Sequence, residues 1–292
     1  MNDNILELKQ VTKRYGDKVV LNELDLAIPR GSVVGLLGKN GAGKSTLIKC
    51  ALGLIKPRSG AISILGEPAW ELSAEGKARL GYVPQVVQLY PWMKVRQVIN
   101  YIGAFYPRWN HELTNRLVKE WELNPEDKVG PLSVGQAQKL AIILALGHEP
   151  DLLVFDEPVA SLDPSARRQF LKTVLDIMLH ENRTILFSTH LTSDLERVAD
   201  RVAILKDGKV IYSDGLDALK DAVKRLCISS TRPLPSNFSI PGMLRKELNG
   251  QKAMVSVRGV TPELVDQIKN QWSVSVEIQD LNLEDIFLEL HV

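Results

Sequence analysis

The residues best suited to chemistry lie in Gly38-Lys39-Asn40-Gly41-Ala42-Gly43-Lys44-Ser45-Thr46, which fits the pattern G-x-x-x-x-G-K-[ST]. The three glycines let the chain turn with positive φ and approach phosphate oxygens closely. Lys44 has the reach for the β- and γ-phosphates of a polyphosphate, and the Ser45 hydroxyl is a hard oxygen donor for Mg²⁺. Three further positions carry polar groups at the end of apolar runs. Gln85 follows residues 80–84, and its amide can hold Mg²⁺ or an attacking water. Asp156-Glu157 close the run 152–155. Asp156 suits Mg²⁺, and Glu157 suits a general base that polarises water, a role typically worth about 10²–10⁴-fold in rate. His190 follows the run 184–189 and can donate to a γ-phosphate. Each group alone also has an ordinary reading: a glycine-rich turn, a surface glutamine, a solvated acidic pair, a structural histidine.

The elements that must position these groups can be read from periodicity. Residues 33–37 form an apolar run that predicts a buried strand, and 45–54 carry Leu47, Ile48, Ala51 and Leu52 at helical spacing. A strand feeding a loop that opens a helix aims several backbone N–H groups and a helix dipole of roughly half a positive charge at one point. If the strands ending at Gln85, Asp156 and His190 are parallel to this one, all three share the edge that holds the phosphate loop. Ahead of the loop, residues 5–11 and the alternating Leu24, Leu26 and Ile28 predict an antiparallel hairpin about the turn Gly16-Asp17. Tyr15 lies just before that turn, where its ring can stack on a nucleotide base or serve as a plain strand-end tyrosine. Residues 60–65 predict another short strand.

From 86 to 150 the pattern turns helical, with predicted helices over 95–105 and 113–121. Seven aromatic residues fall there: Tyr90, Trp92, Tyr101, Phe105, Tyr106, Trp109 and Trp121. They read equally as helical core or as a docking surface for another protein. Ser133 with Gln136 three residues on is a capping box that opens a helix over 137–146, a second ready anion site. Ser161-Leu162-Asp163-Pro164 opens another helix, with Asp163 as cap and Pro164 in the first position. Beyond the hairpin signal Asp207-Gly208, the tail predicts a helix over 216–226, a Pro- and Ser-rich linker over 231–241 and a hairpin at Asn249-Gly250. A strand over 254–257, a helix from Thr261-Pro262, a strand over 273–278 and a helix over 283–288 complete a small α/β appendage.

Composition narrows the partners. The 292 residues are 45% hydrophobic and 24% charged, with a net charge of +1. Such a balance exerts no strong pull toward nucleic acid or an anionic membrane. No apolar run approaches the roughly 18 residues of a membrane span, and the first residues lack a signal-peptide pattern. Cys50 and Cys227 stand in no motif and read as reduced thiols, so cytosol is the expected compartment.

In the order Tyr15, phosphate loop, Gln85, Leu132-Ser133-Val134-Gly135-Gln136, Asp156-Glu157, Ser161-Leu162-Asp163 and His190, the chain resembles the nucleotide-binding subunit of ATP-binding cassette (ABC) transporters. The match spans roughly residues 5–215, and the stretch around Ser133 is its most specific element. The resemblance implies an α/β fold: a P-loop NTPase cassette over 1–216 with a mixed sheet core, an antiparallel β lobe and an inserted helical subdomain at about 86–150. A C-terminal α/β appendage would follow over 217–292. It implies ATP and Mg²⁺ as ligands, Tyr15 as the adenine-stacking residue, and Gln85 as a Mg²⁺ sensor coupled to the membrane partner. Glu157 would be the base and His190 the γ-phosphate switch. Ser133, Gly135 and Gln136 would bind the γ-phosphate of ATP held by the other subunit of a dimer, and Asp163 would lie in the loop meeting that subunit. The chain carries each half of this sandwich once, so a homodimer or a heterodimer with a related cassette is implied. A separate integral membrane permease is implied too, placing the chain on the cytoplasmic face of the membrane. The closing stretch is similar to ATPase subunits of two-component (ABC-2 type) exporters of antibiotics, lipids or peptides.

One departure stands out: the family usually has Gly where this chain has Val134, and a Cβ there restricts φ near the bound phosphate. The alternative function is a soluble cassette ATPase acting on nucleic acid or the ribosome. The DNA-maintenance kind would place a long coiled coil between Lys44 and Asp156, and the translation-factor kind carries two cassettes; neither feature occurs in the sequence. A nucleotide binder without turnover is disfavoured by Glu157 and His190.

Overall fold

A computed structural model describes residues 3–159, 162–181 and 183–291, with the backbone alone over 177–181. In chain order the elements begin with β1 (Asn4–Tyr15), β2 (Lys18–Pro29), β3 (Val33–Leu37), α1 (Lys44–Ala51), β4 (Ser59–Ile64), β5 (Glu67–Pro68), α2 (Ala74–Ala78) and β6 (Leu80–Val83). There follow α3 (Val95–Gly103), α4 (His111–Glu120), α5 (Val134–Leu146), β7 (Leu152–Asp156), α6 (Pro164–Glu181), β8 (Thr184–Thr189), α7 (Thr192–Val198), β9 (Arg201–Lys206) and β10 (Lys209–Gly215). The last are α8 (Leu216–Ala222), β11 (Val223–Ser230), β12 (Met243–Asn249), β13 (Lys252–Arg258), α9 (Pro262–Trp272), β14 (Val274–Asp280) and α10 (Leu283–Leu290). The chain divides into two compact units, Met1–Ser213 and Asp214–Val292.

The first unit holds two sheets. One is antiparallel in the order β2-β1-β4-β5, and the other runs β10-β9-β3-β8-β7-β6. Neighbours from β9 to β6 in the second sheet pair in parallel. Strands β3, β7 and β8 are buried along their whole length, as expected of near-continuous apolar runs in a parallel sheet. Helix α1 is the wedge between the sheets. Its Leu47, Ile48, Cys50 and Ala51 join one core with Leu6, Leu8, Val11 and Leu24 of the antiparallel lobe and Leu36, Val154 and Leu186 of the parallel sheet. A fully buried Leu or Ile contributes roughly 1.5–3 kcal/mol, so the helix that begins with Lys44 is fixed from both sides. Gly35 lets helix α7 approach β3, because a Cβ there would collide with Leu195.

The aromatic set of the helical stretch divides. Trp121 is buried, and Tyr106 and Trp109 stack on His148. Tyr90, Trp92, Tyr101 and Phe105 instead form an edge-to-face chain, with Trp92 and Phe105 about two-thirds exposed.

The second unit is a four-stranded antiparallel sheet, β12-β13-β11-β14. Its core includes Leu226, Ile228, Val255, Val257 and Ile268. Two expectations are corrected here. The helix expected over 216–226 ends at Ala222, and Val223–Ser230 forms β11. Val223 and Leu226 stand at helical spacing while Leu226 and Ile228 alternate as in a strand, and pairing between β13 and β14 decides in favour of the strand. The expected linker over 231–241 is a packed crossover between β11 and β12. Phe238 is fully buried in it, and the Lys246 ammonium donates to the carbonyls of Ser236 and Phe238 at 2.8 Å each.

Candidate active site

Four strands of the parallel sheet deliver the site. Strand β3 runs into the phosphate loop, β6 into Gln85, β7 into Asp156-Glu157 and β8 into His190, all at carboxyl ends. The loop caps α1 through Gly43, whose φ is 107°. A Cβ there would lie 3.1 Å from the Val20 carbonyl oxygen, so the left-handed turn and the contact with β2 both require glycine. No acidic side chain occupies the first turn of α1, leaving its N–H groups and dipole to an anion. A cavity of about 340 Å³ opens over this end, lined by Val20, Asn40, Gly41, Gly43, Lys44, Ser45, Thr46, Gln85 and Glu157.

The charged groups inside are tightly interlocked. The Lys44 ammonium donates to the Gly38 carbonyl at 2.8 Å and pairs with Glu157 Oε1 at 3.2 Å. Glu157 Oε2 accepts from His190 Nδ1 at 2.8 Å. Asp156, 1% exposed, accepts at Oδ1 from the Ser45 hydroxyl at 3.1 Å and from the Ser188 hydroxyl at 2.8 Å. Glu157 sits at φ 51°, a strained conformation for a non-glycine residue, and such strain concentrates at functional sites. Its N–H donates to Ser188 Oγ at 3.0 Å and to the Ser188 carbonyl at 3.1 Å. These bonds turn its carboxylate back toward Lys44.

Ser188 is the residue the sequence reading missed. It sits in an apolar strand without a motif. The only signal is its register directly opposite Asp156 in the β7–β8 pair.

The remaining candidates lie outside the phosphate cavity. Tyr15 is half exposed at the tip of the β1–β2 hairpin, the same hairpin that supplies Val20 to the cavity wall. Ser133 and Gln136 form the capping box of α5: the Gln136 N–H donates to Ser133 Oγ at 3.2 Å, and the Ser133 N–H donates to Gln136 Oε1 at 2.9 Å. Gly135 falls in the first turn of that helix. Val134 is its first residue, and neither Val134 nor Gly135 has a positive φ. The expected backbone restriction at Val134 is therefore absent: a helical φ suits any L-residue, and the isopropyl group points out with 70% exposure. A second cavity of about 900 Å³ is lined by Gln85, Val86, Pro91, Leu132, Val134 and Gln138 among others, so Gln85 borders both cavities. Asp163 caps α6 by accepting from Ser165 Oγ at 2.6 Å and from the N–H groups of Ser165 and Ala166. These bonds, the hydroxyl first, hold its carboxyl down to about 2. Ser161 lies outside the described residues. Among the described residues no cluster of three or more His, Cys, Asp or Glu side chains is arranged to hold a metal ion.

The chain is similar to known proteins. Residues 21–160 match the family model described as ABC transporter. The Nod factor export ATP-binding protein I of Bradyrhizobium diazoefficiens is 36% identical over 303 residues, covering 99% of this chain and 97% of that protein. The protein of the same name from Burkholderia lata is 34% identical, covering 98% and 96%. Among solved structures, an ATP-binding subunit of an ABC transporter is 31% identical with a TM-score of 0.68, over 74% of this chain and 92% of that one. A dimeric ATP-binding cassette in a post-hydrolysis state bound to ADP and Pi is 26% identical with a TM-score of 0.65, over 72% and 98%. Taken with the phosphate loop, the acidic strand end and the capped helix α5, these likenesses establish that the chain belongs to the ABC transporter family, as an ATP-binding subunit that hydrolyses ATP.

Proposed function

We propose that the chain powers a two-component exporter, pairing with a second cassette and driving a separate permease. The observation that carries this reading is the buried, doubly tethered Glu157 facing the phosphate loop. In this mechanism the loop N–H groups and Lys44 bind the β- and γ-phosphates. Glu157 takes a proton from water as the water oxygen bonds to the γ-phosphorus, and the bond to the β–γ bridging oxygen breaks. His190 holds the Glu157 carboxylate through Nδ1. Ser133, Gly135 and Gln136 close over the γ-phosphate of the partner copy, and Asp163 meets the partner beside them. Tyr15 stacks on adenine.

The donor set at the cavity suits Mg²⁺. Ser45 Oγ, the Asp156 carboxylate and the Gln85 amide are hard oxygens, too few for a full protein cage, which matches an ion that completes its shell with phosphate and water. When bound, Mg²⁺ neutralises charge developing on the phosphates.

Among the described residues no helix is long and apolar enough to cross a membrane; in this reading the membrane span belongs to the permease. The exposed Val86, which lines the larger cavity bordered by Gln85, and the exposed Trp92 and Phe105 of the aromatic chain support a docking surface for it on the cytoplasmic side. The names of the relatives support export, and the neutral net charge supports a partner other than nucleic acid. We take the cassette as 1–216, with its helical subdomain near 86–150, and the appendage as 217–292.

The test is Glu157→Gln. It should lower steady-state ATPase by about 10²–10⁴-fold and accumulate ATP-bound dimers visible by light scattering. Equal turnover by both forms removes Glu157 from the base role.

A further inference from the structure

We infer that Lys13 is a positioning residue for nucleotide binding: it holds the Tyr15 ring from one side and leaves the opposite face as a prepared platform for a purine. This rests on the base-stacking role proposed for Tyr15. Lys13 and Tyr15 alternate on β1, so both side chains leave the same side of the strand. The Lys13 ammonium lies 5.1 Å from the Tyr15 ring centroid. The same nitrogen donates to the Lys56 carbonyl at 2.8 Å, so it is anchored rather than waving in solvent.

The anchor belongs to the segment leaving the phosphate-loop helix. Lys56 lies between α1 and β4, and the Arg58 N–H donates to the Thr12 carbonyl at 2.7 Å, tying that segment to β1. Lys56 is fixed in turn, its ammonium 5.6 Å from the Trp70 ring centroid. The base platform and the phosphate loop are thereby braced from opposite ends of α1.

The electrostatics favour the same role. A cation over one face of a phenol ring is attracted by the ring quadrupole. It also draws π density toward itself, leaving the far face less electron-rich and better matched to an electron-rich purine. Half exposed and without that cation, the Tyr15 ring would sample more orientations and give up more freedom on stacking.

The experiment is a double-mutant cycle on the full chain, with KM and kcat for ATP measured in the wild type, Lys13→Met, Tyr15→Ala and the double variant. Lys13→Met should raise KM by about two- to five-fold, with a smaller effect on kcat. It should have no further effect in the Tyr15→Ala background, and Lys13→Arg should restore KM. A raised KM in Tyr15→Ala with an unchanged KM in Lys13→Met overturns the inference while leaving the Tyr15 reading intact. Equal effects of Lys13→Met in both backgrounds also overturn it, since the lysine then acts on the phosphates directly. Failure of arginine to rescue counts against the cation. An unchanged KM in Tyr15→Ala removes the stacking role and the inference together.

Discussion

Replacing Ser188 by alanine tests how the acidic strand end is held. The Ser188 hydroxyl is fully buried, donates to Asp156 at 2.8 Å and accepts the Glu157 N–H at 3.0 Å. Neither partner is orphaned by its loss. Asp156 keeps the Ser45 hydroxyl at 3.1 Å, and the Glu157 N–H keeps the Ser188 carbonyl at 3.1 Å. Both side-chain bonds disappear, and the dominant loss is the one to a buried carboxylate, worth about 1.5–3 kcal/mol. In a unit of this size each kcal/mol moves the melting point by about 2–4 °C, so the expected loss is about 3–12 °C. Calorimetry of the Ser188→Ala chain, following the transition of the larger unit, reads this directly. A melting point within about 1 °C of the wild type would refute the claim that this hydroxyl anchors Asp156.

Three other outcomes follow from the same geometry. Burial holds the His148 imidazole below its ordinary pKa, so the unfolded chain binds more protons. Stability should then be full above about pH 6.5 and decline as pH falls through that value; pH-dependent melts should show this slope, flattened in His148→Gln. Gly43→Ala forces a Cβ into a φ of 107° against the Val20 carbonyl. It should cost more than about 1 kcal/mol and abolish the rise in melting point that ATP produces. Val134→Gly removes an exposed side chain from a helical backbone and should leave ATPase activity undiminished; a large fall in a coupled-enzyme assay would show that the isopropyl group takes part in closure.

Much of the site was legible because its groups punctuate apolar runs. A buried strand ending in Asp156-Glu157 or His190 puts charge where the sheet ends, and that contrast is visible in one dimension. The capping box at Ser133 was legible for a similar reason: both partners lie within one helical turn. Ser188 was not, because its partners come from the neighbouring strand and nothing near it in sequence marks the pairing. The same limit explains the second unit. Val223 and Leu226 keep helical spacing while Leu226 and Ile228 alternate, and only the flanking strands β13 and β14 choose between the two patterns. Around Phe238, the prolines and serines of the crossover obscured a side chain buried by tertiary packing alone. Val134 posed the reverse problem: its identity suggested strain, and the helical backbone beneath it removes the strain.

The Lys44 ammonium divides its hydrogen bonds between the Gly38 carbonyl and Glu157. A polyphosphate entering the loop competes for that amine, and every step it gains toward the phosphates withdraws positive charge from the glutamate. Grip and readiness are thus two ends of one lever. The phosphate that takes the amine frees the carboxylate oxygen that held it, so the oxygen is released when there is a phosphate in the loop.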